Sequence, residues 1–105
     1  MVDGADFRAV VRRGRRSTTP TAIYYRLATD PARPARFGVI VSKAVGSAVE
    51  RNRVRRRLRA LSRSLVDAGR AGEDVVIRVL PGDAQRNWDS LSADMHDALD
   101  SQVAR

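Results

Sequence analysis

A chain of 105 residues holds one domain with a modest core, and its formal charge of +8 calls for an anionic partner. The absence of cysteine excludes a disulfide framework and a thiolate metal site, and a single histidine leaves little for a zinc centre. Apolar runs of only a few residues cannot span a membrane, and no apolar segment opens the chain, so a cytoplasmic protein without a secretory signal is expected.

The charge is uneven. Residues 1–42 carry net +5, residues 43–63 net +7 and residues 64–105 net −4. In the middle segment eight cations meet one acid, a self-repulsion that phosphates relieve. The arginine bias suits bidentate contacts to phosphate.

Residues 3–13 read as a short helix capped by Asp3 or Asp6, with Phe7, Val10 and Val11 on one face and Gly14 as its stop. Residues 15–20, RRSTTP, read as a basic loop with room for a short strand. Residues 22–29 alternate, with Ile23, Tyr25 and Leu27 on one face and Tyr24 and Arg26 on the other, the pattern of a strand. After a proline-rich turn at 30–36, FGVIVS at 37–42 predicts a second strand, central because its apolar run is nearly continuous.

Residues 47–66 predict a long helix with two opposed stripes. Val54, Leu58, Leu61 and Leu65 repeat at helical spacing, and Asn52, Arg56, Arg59 and Arg63 repeat it on the opposite side. Arg53 adjoins the polar stripe, and Arg51, Arg55 and Arg57 flank the apolar one. Ser47 and Glu50 have capping-box spacing, which fixes the start. A loop at 67–74 leads to a strand at 75–80 that Pro81-Gly82 ends. Asn87 is placed to cap a last helix with Trp88, Leu91, Met95, Leu99 and Val103 on one face. Trp88 and Met95 lie at core spacing and read as packing residues. These elements predict an α+β fold, a two-layer sandwich of helices on a small sheet in a single domain, 1–105.

No nucleophile–base pair, glycine-rich phosphate loop or metal-ligand spacing occurs. His96 lies one position off the apolar stripe and reads as a surface residue. Asp94, Asp97 and Asp100 recur three apart, and the simplest reading is a solvated helix face rather than a cation site. The chain reads as a binding module. Phe7 and Tyr25 can share a sheet face under the first helix, and two readings stand: plain core, or a cleft in which single-stranded bases meet aromatic rings.

The run 37–63, with Ser42-Lys43 ending a strand, Gly46 at the turn and Arg51-Asn52-Arg53 opening a basic helix, closely resembles the protein subunit of bacterial ribonuclease P. DFRAVVRRG at 6–14 and EDVVIRVLPGDA at 73–84 extend the likeness over residues 6–100. The resemblance implies α-β-β-β-α-β-α order with a left-handed crossover, against the usual right-handed rule. It implies a catalytic RNA partner that holds the catalytic Mg²⁺, a precursor tRNA substrate that loses its 5′ leader, and no catalytic side chain or tightly bound cofactor or metal on the protein. One protein copy per RNA, no DNA and no membrane are expected.

By the same resemblance Lys43, Arg51, Asn52, Arg53, Arg55, Arg56, Arg57, Arg59 and Arg63 contact RNA, and Phe7, Val11, Tyr25, Ser42 and Lys43 line the leader cleft. Two departures stand out. The stretch before the first helix reads MVDGADF, without the family's basic, proline-containing arm, and Val11 stands where the family often has an aromatic residue. Rival classes are a ribosomal-type RNA binder and a helix-turn-helix DNA binder. The latter needs two helices joined by a short turn, whereas here the basic helix follows a strand.

Overall fold

The computed structural model describes residues 4–82 and 88–100. Helix α1 (Gly4–Arg13) is followed by β1 (Arg15–Thr18), β2 (Ala22–Ala28) and β3 (Arg36–Ile40). A 3₁₀ turn (Lys43–Val45) leads to α2 (Ala48–Asp67), then β4 (Glu73–Val79) and α3 (Trp88–Leu99). This is the expected α+β order, with the short strand in the basic segment formed. The expected caps at Asp3 and Asn87, and Val103 on the last helix, lie outside the described residues.

The sheet order is β1-β2-β4-β3, with β3 and β4 parallel and the other neighbours antiparallel. The central position expected for residues 37–42 is therefore corrected: β3 is an edge strand and β4 is central. The apolar run of β3 has another cause. Phe37 and Val41 enter the core with α2, and Gly38 lies under Phe7 on the other face.

Alternation along the strands divides the buried residues into two clusters. Tyr24, Phe37, Val75 and Ile77 pack with Val54 and Leu58 of α2 and Leu91, Met95 and Leu99 of α3. Ile23, Tyr25 and Val76 pack with Val10 of α1 on the opposite face. The sandwich of sheet with α2 and α3 is as expected, and α1 adds partial cover to the second face. Gly14 is needed where α1 turns into β1, because a β-carbon there would stand 2.4 Å from the Val10 carbonyl oxygen.

Ion pairs fasten the helices. Buried Arg26 donates to Glu73 through Nε at 2.8 Å, and its guanidinium also donates to the Ala98 carbonyl of α3 at 3.1 Å. Arg70 reaches the same Glu73 and the Leu99 carbonyl, so two cations sit at the C-terminal end of α3, where the helix dipole favours them. On the other face Arg36 joins Asp74 at 2.6 Å and Asp6 of α1 at 3.2 Å. These carboxylates hold the Arg36 guanidinium firmly protonated, above its already high ordinary value.

Candidate nucleic-acid interface

The α2 cap forms as its spacing predicts: Glu50 N–H donates to Ser47 Oγ and Ser47 N–H to Glu50 Oε1, each at 3.2 Å. With the start fixed, the 3.6-residue period decides which side chains face outward. Val54 and Leu58 are buried, Leu61 and Leu65 half-buried, and Asn52, Arg53, Arg56, Arg59 and Arg63 are exposed. Arg63 meets Asp67 at 3.9 Å with both side chains open to solvent, a weak pair. The result is a row of guanidinium groups along one side of a rigid helix.

Three of the nominated arginines are partly committed to the protein itself. Arg55 donates to the Val41 carbonyl at 3.3 Å and to Asn52 Oδ1 at 3.2 Å, tying α2 to the end of β3. Arg51 is half-buried. Arg57 lies over the Trp88 ring, its guanidinium carbon 5.6 Å from the centroid. Arg59 and Arg63 also border a groove of about 470 Å³ beside Phe37 and Val39 of β3 and Val66 of α2.

The second face of the sheet carries a different arrangement. Cross-strand register places Leu27, Asp74 and Arg36 in one row, Arg16, Tyr25, Val76 and Gly38 in the next, and Thr18, Ile23, Arg78 and Ile40 in a third. Helix α1 covers the first two rows, through Asp6 on Arg36 and Phe7 on Gly38. In the third row Thr18 and Arg78 remain exposed, and exposed Ser42 and Lys43 follow β3 just beyond Ile40. Ile23 of that row is buried against Val10 of α1, so the open part of this face is the exposed Arg78 with half-buried Ile40 beside it, flanked by α1 and by Ser42 and Lys43.

The nominated cleft residues fare differently. Phe7 is partly buried against Val10, Ile23, Tyr25 and Val76. Tyr25 is only 7% exposed and is core beneath α1, whereas Val11 is 39% exposed and off the packed face. Ser42 and Lys43 lie at the strand exit. Arg78, Ile40 and Thr18 are not among the residues that the sequence singles out. Arg78 had a legible signal, a lone charge within VVIRVL, and it is the one exposed residue of β4.

Trp88 packs against the main core as its spacing predicts, yet it also borders a hollow with Arg53, Arg56, Arg57 and Ala60. Of the three aspartates spaced along α3, Asp94 accepts from Thr21 Oγ1 at 2.7 Å and Thr21 N–H at 3.2 Å, so it pins α3 to β2. Asp97, Asp100 and His96 are exposed. Among the described residues no helix is long and apolar enough to cross a membrane.

Comparison with known proteins agrees with this architecture. The family model for Ribonuclease P matches residues 1–102. The ribonuclease P protein component of Clavibacter michiganensis is 50% identical over 103 residues, covering 98% of this chain and 91% of the relative. That of a Nocardioides strain is 42% identical over 99 residues, covering 92% and 85%. In fold, the Staphylococcus aureus RNase P protein superimposes with a TM-score of 0.80 at 21% identity, over 94% of each chain. The Thermotoga maritima RNase P protein, solved with 1-(4-fluorophenyl)-2-thiourea, gives 0.79 at 17% identity, over 92% of this chain and 94% of that one. A family-model match over residues 1–102, with relatives 50% and 42% identical over nearly the whole chain, places the chain in the ribonuclease P protein family.

Proposed function

We propose that this chain is the RNA-binding subunit of a ribonucleoprotein endonuclease that removes the 5′ leader from precursor tRNA. The observation that carries this reading is the capped helix α2, whose exposed side presents Arg53, Arg56, Arg59 and Arg63. A row of guanidinium groups along one side of a helix can pair bidentately with the phosphate oxygens of an RNA backbone. The catalytic RNA is the partner on this side, with Lys43 and Asn52 extending the contact at the helix start.

The cleft on the opposite sheet face takes the single-stranded leader. Half-buried Phe7 and Ile40 offer apolar surface beside the exposed Arg78, and Lys43 stands at the exit of β3. Unpaired bases can reach such a surface, whereas a duplex shows it only edges and backbone. Tyr25 supports it from below and Val11 flanks it.

The chemistry belongs to the RNA, which holds the Mg²⁺ ions; the protein supplies binding and screening of phosphate charge. Cations on the protein substitute for part of the Mg²⁺ that the RNA alone needs, so the holoenzyme works at lower Mg²⁺. The test is cleavage of precursor tRNA by RNA alone, by RNA-free protein alone and by the mixture across a Mg²⁺ series. The mixture should cleave at low Mg²⁺ and the protein alone should not. Leader removal by rigorously RNA-free protein would overturn the reading.

A further inference from the structure

Trp88 is the single tryptophan of the chain, and its surroundings differ from those of a plain core residue. Part of the ring packs on the main core, and the ring also borders a hollow of about 300 Å³ walled by Arg53, Arg56, Arg57 and Ala60. That volume is at the lower end of the range for small-molecule clefts. The Arg57 guanidinium lies 5.6 Å from the indole centroid, within cation–π range. Arg53 and Arg56 are exposed at the rim, and none of the described residues bordering the hollow is acidic.

Each wall contributes something a simple cationic patch lacks. The small side chain of Ala60, one turn after Arg56, leaves the room. Trp88 restrains Arg57, so less side-chain freedom is lost when a ligand meets the guanidinium plane. Two flat groups held together reward a flat ligand, and two exposed guanidinium groups beside them reward anions on either side of it. A splayed nucleotide has this shape and charge, whereas a paired base inside a duplex hides its faces.

We propose that the hollow between α2 and the first turn of α3 seats one unpaired nucleotide of an RNA. Its base stacks on the Arg57–Trp88 pair and its flanking phosphates meet Arg53 and Arg56. This rests on the reading of α2 as the RNA-facing helix and extends that face onto α3. The nucleotide comes from either the catalytic RNA or precursor tRNA; the chemistry is the same, and the experiment tells them apart.

Because no other tryptophan emits, the wild-type fluorescence reports this site directly. The full chain is titrated with catalytic RNA alone, precursor tRNA alone and the two together, with binding followed in parallel by mobility shift. Stacking should quench Trp88 emission and protect it from acrylamide, and the RNA that does so is the source. Arg57→Lys keeps the charge but loses the plane. It should weaken binding of that RNA about tenfold, within the range for one stacked base, with an unchanged salt slope. Trp88→Phe should restore most of the affinity that Trp88→Leu loses, with melting temperature recorded for each.

Unchanged emission and acrylamide access at saturation with both RNAs, or an Arg57→Lys chain that binds both like wild type, would overturn the inference while leaving α2 as an RNA-binding helix. A flat mobility shift with both RNAs would instead remove the underlying reading and the inference with it.

Discussion

The Phe7 ring rests on Gly38 so closely that a β-carbon at position 38 would stand 2.3 Å from Phe7 Cζ. This contact sets how near α1 lies to the edge of the sheet, and so how much of the third row stays open. Gly38→Ala must push the ring away. We expect it to lower the preference for precursor over mature tRNA, with a smaller loss for mature tRNA itself. Pairing it with Phe7→Ala should recover melting temperature relative to Gly38→Ala, without recovering leader discrimination. Equal losses for both tRNAs in a folded Gly38→Ala chain would detach this contact from the leader.

On the opposite side of the molecule, Arg56→Ala and Arg59→Ala should weaken binding to the catalytic RNA and leave the fold intact, because both side chains are exposed and neither anchors α2. If each meets one phosphate, the log–log salt slope should fall by about 0.7–0.9 per substitution. Arg55→Ala should differ, costing stability as well, since Arg55 donates to the Val41 carbonyl. Affinity titrations at several salt concentrations, with thermal melts alongside, separate the two behaviours.

The apolar stripe of α2 is graded. Leu58 is fully buried, whereas Leu61 is only partly so. Leu58→Ala should cost about 2–5 kcal/mol and Leu61→Ala clearly less, measured by denaturant unfolding. Equal costs would mean that the helix is rotated from the position described.

That grading marks the line between what the sequence discloses and what it hides. The period of 3.6 assigned the two faces of α2, and Ser47 with Glu50 fixed its start, because both are local rules. Strand β1 was harder, since Arg15–Thr18 has no apolar alternation and exists through its pairing with β2. The apolar run of β3 indicated burial but not sheet position, because two helices, rather than two neighbouring strands, cover it. Arg26 looked like an ordinary polar position of an alternating strand. Its partner Glu73 lies 47 residues away, and nothing local announces that pair. Trp88 was legible as core, but its contact with Arg57 depends on how α3 docks.

The Arg26–Glu73 pair carries its own expectation. Both side chains are about 5% exposed or less, so removing one leaves the other charged and without its strongest partner in the interior. Glu73→Ala should destabilise the fold by about 3–5 kcal/mol and loosen the end of α3, which Arg26 and Arg70 hold through the Ala98 and Leu99 carbonyls. Hydrogen exchange along α3, compared with α1, is the measurement. Uniform loss of protection in both helices would mean that the pair supports the whole fold rather than this corner.

Tyr24 presents the reverse case, a buried polar group whose removal should help. Its side chain is fully buried and its hydroxyl has no hydrogen-bond partner among the described residues. Burial, with the nearby Asp94 charge adding, pushes the phenol pKa well above its ordinary value. The unfolded chain therefore releases this proton first, as pH passes about 10, while the folded chain keeps it. Stability that is full below that pH must decline above it. Tyr24→Phe removes both effects: stability at neutral pH should be unchanged or up to about 1 kcal/mol higher, and the alkaline decline should become shallower. Denaturant midpoints between pH 7 and pH 11 for both chains test this. A midpoint that drops at pH 7 in Tyr24→Phe would mean that the hydroxyl has a partner after all, a water bridging it to Asp94 or to the backbone of β2.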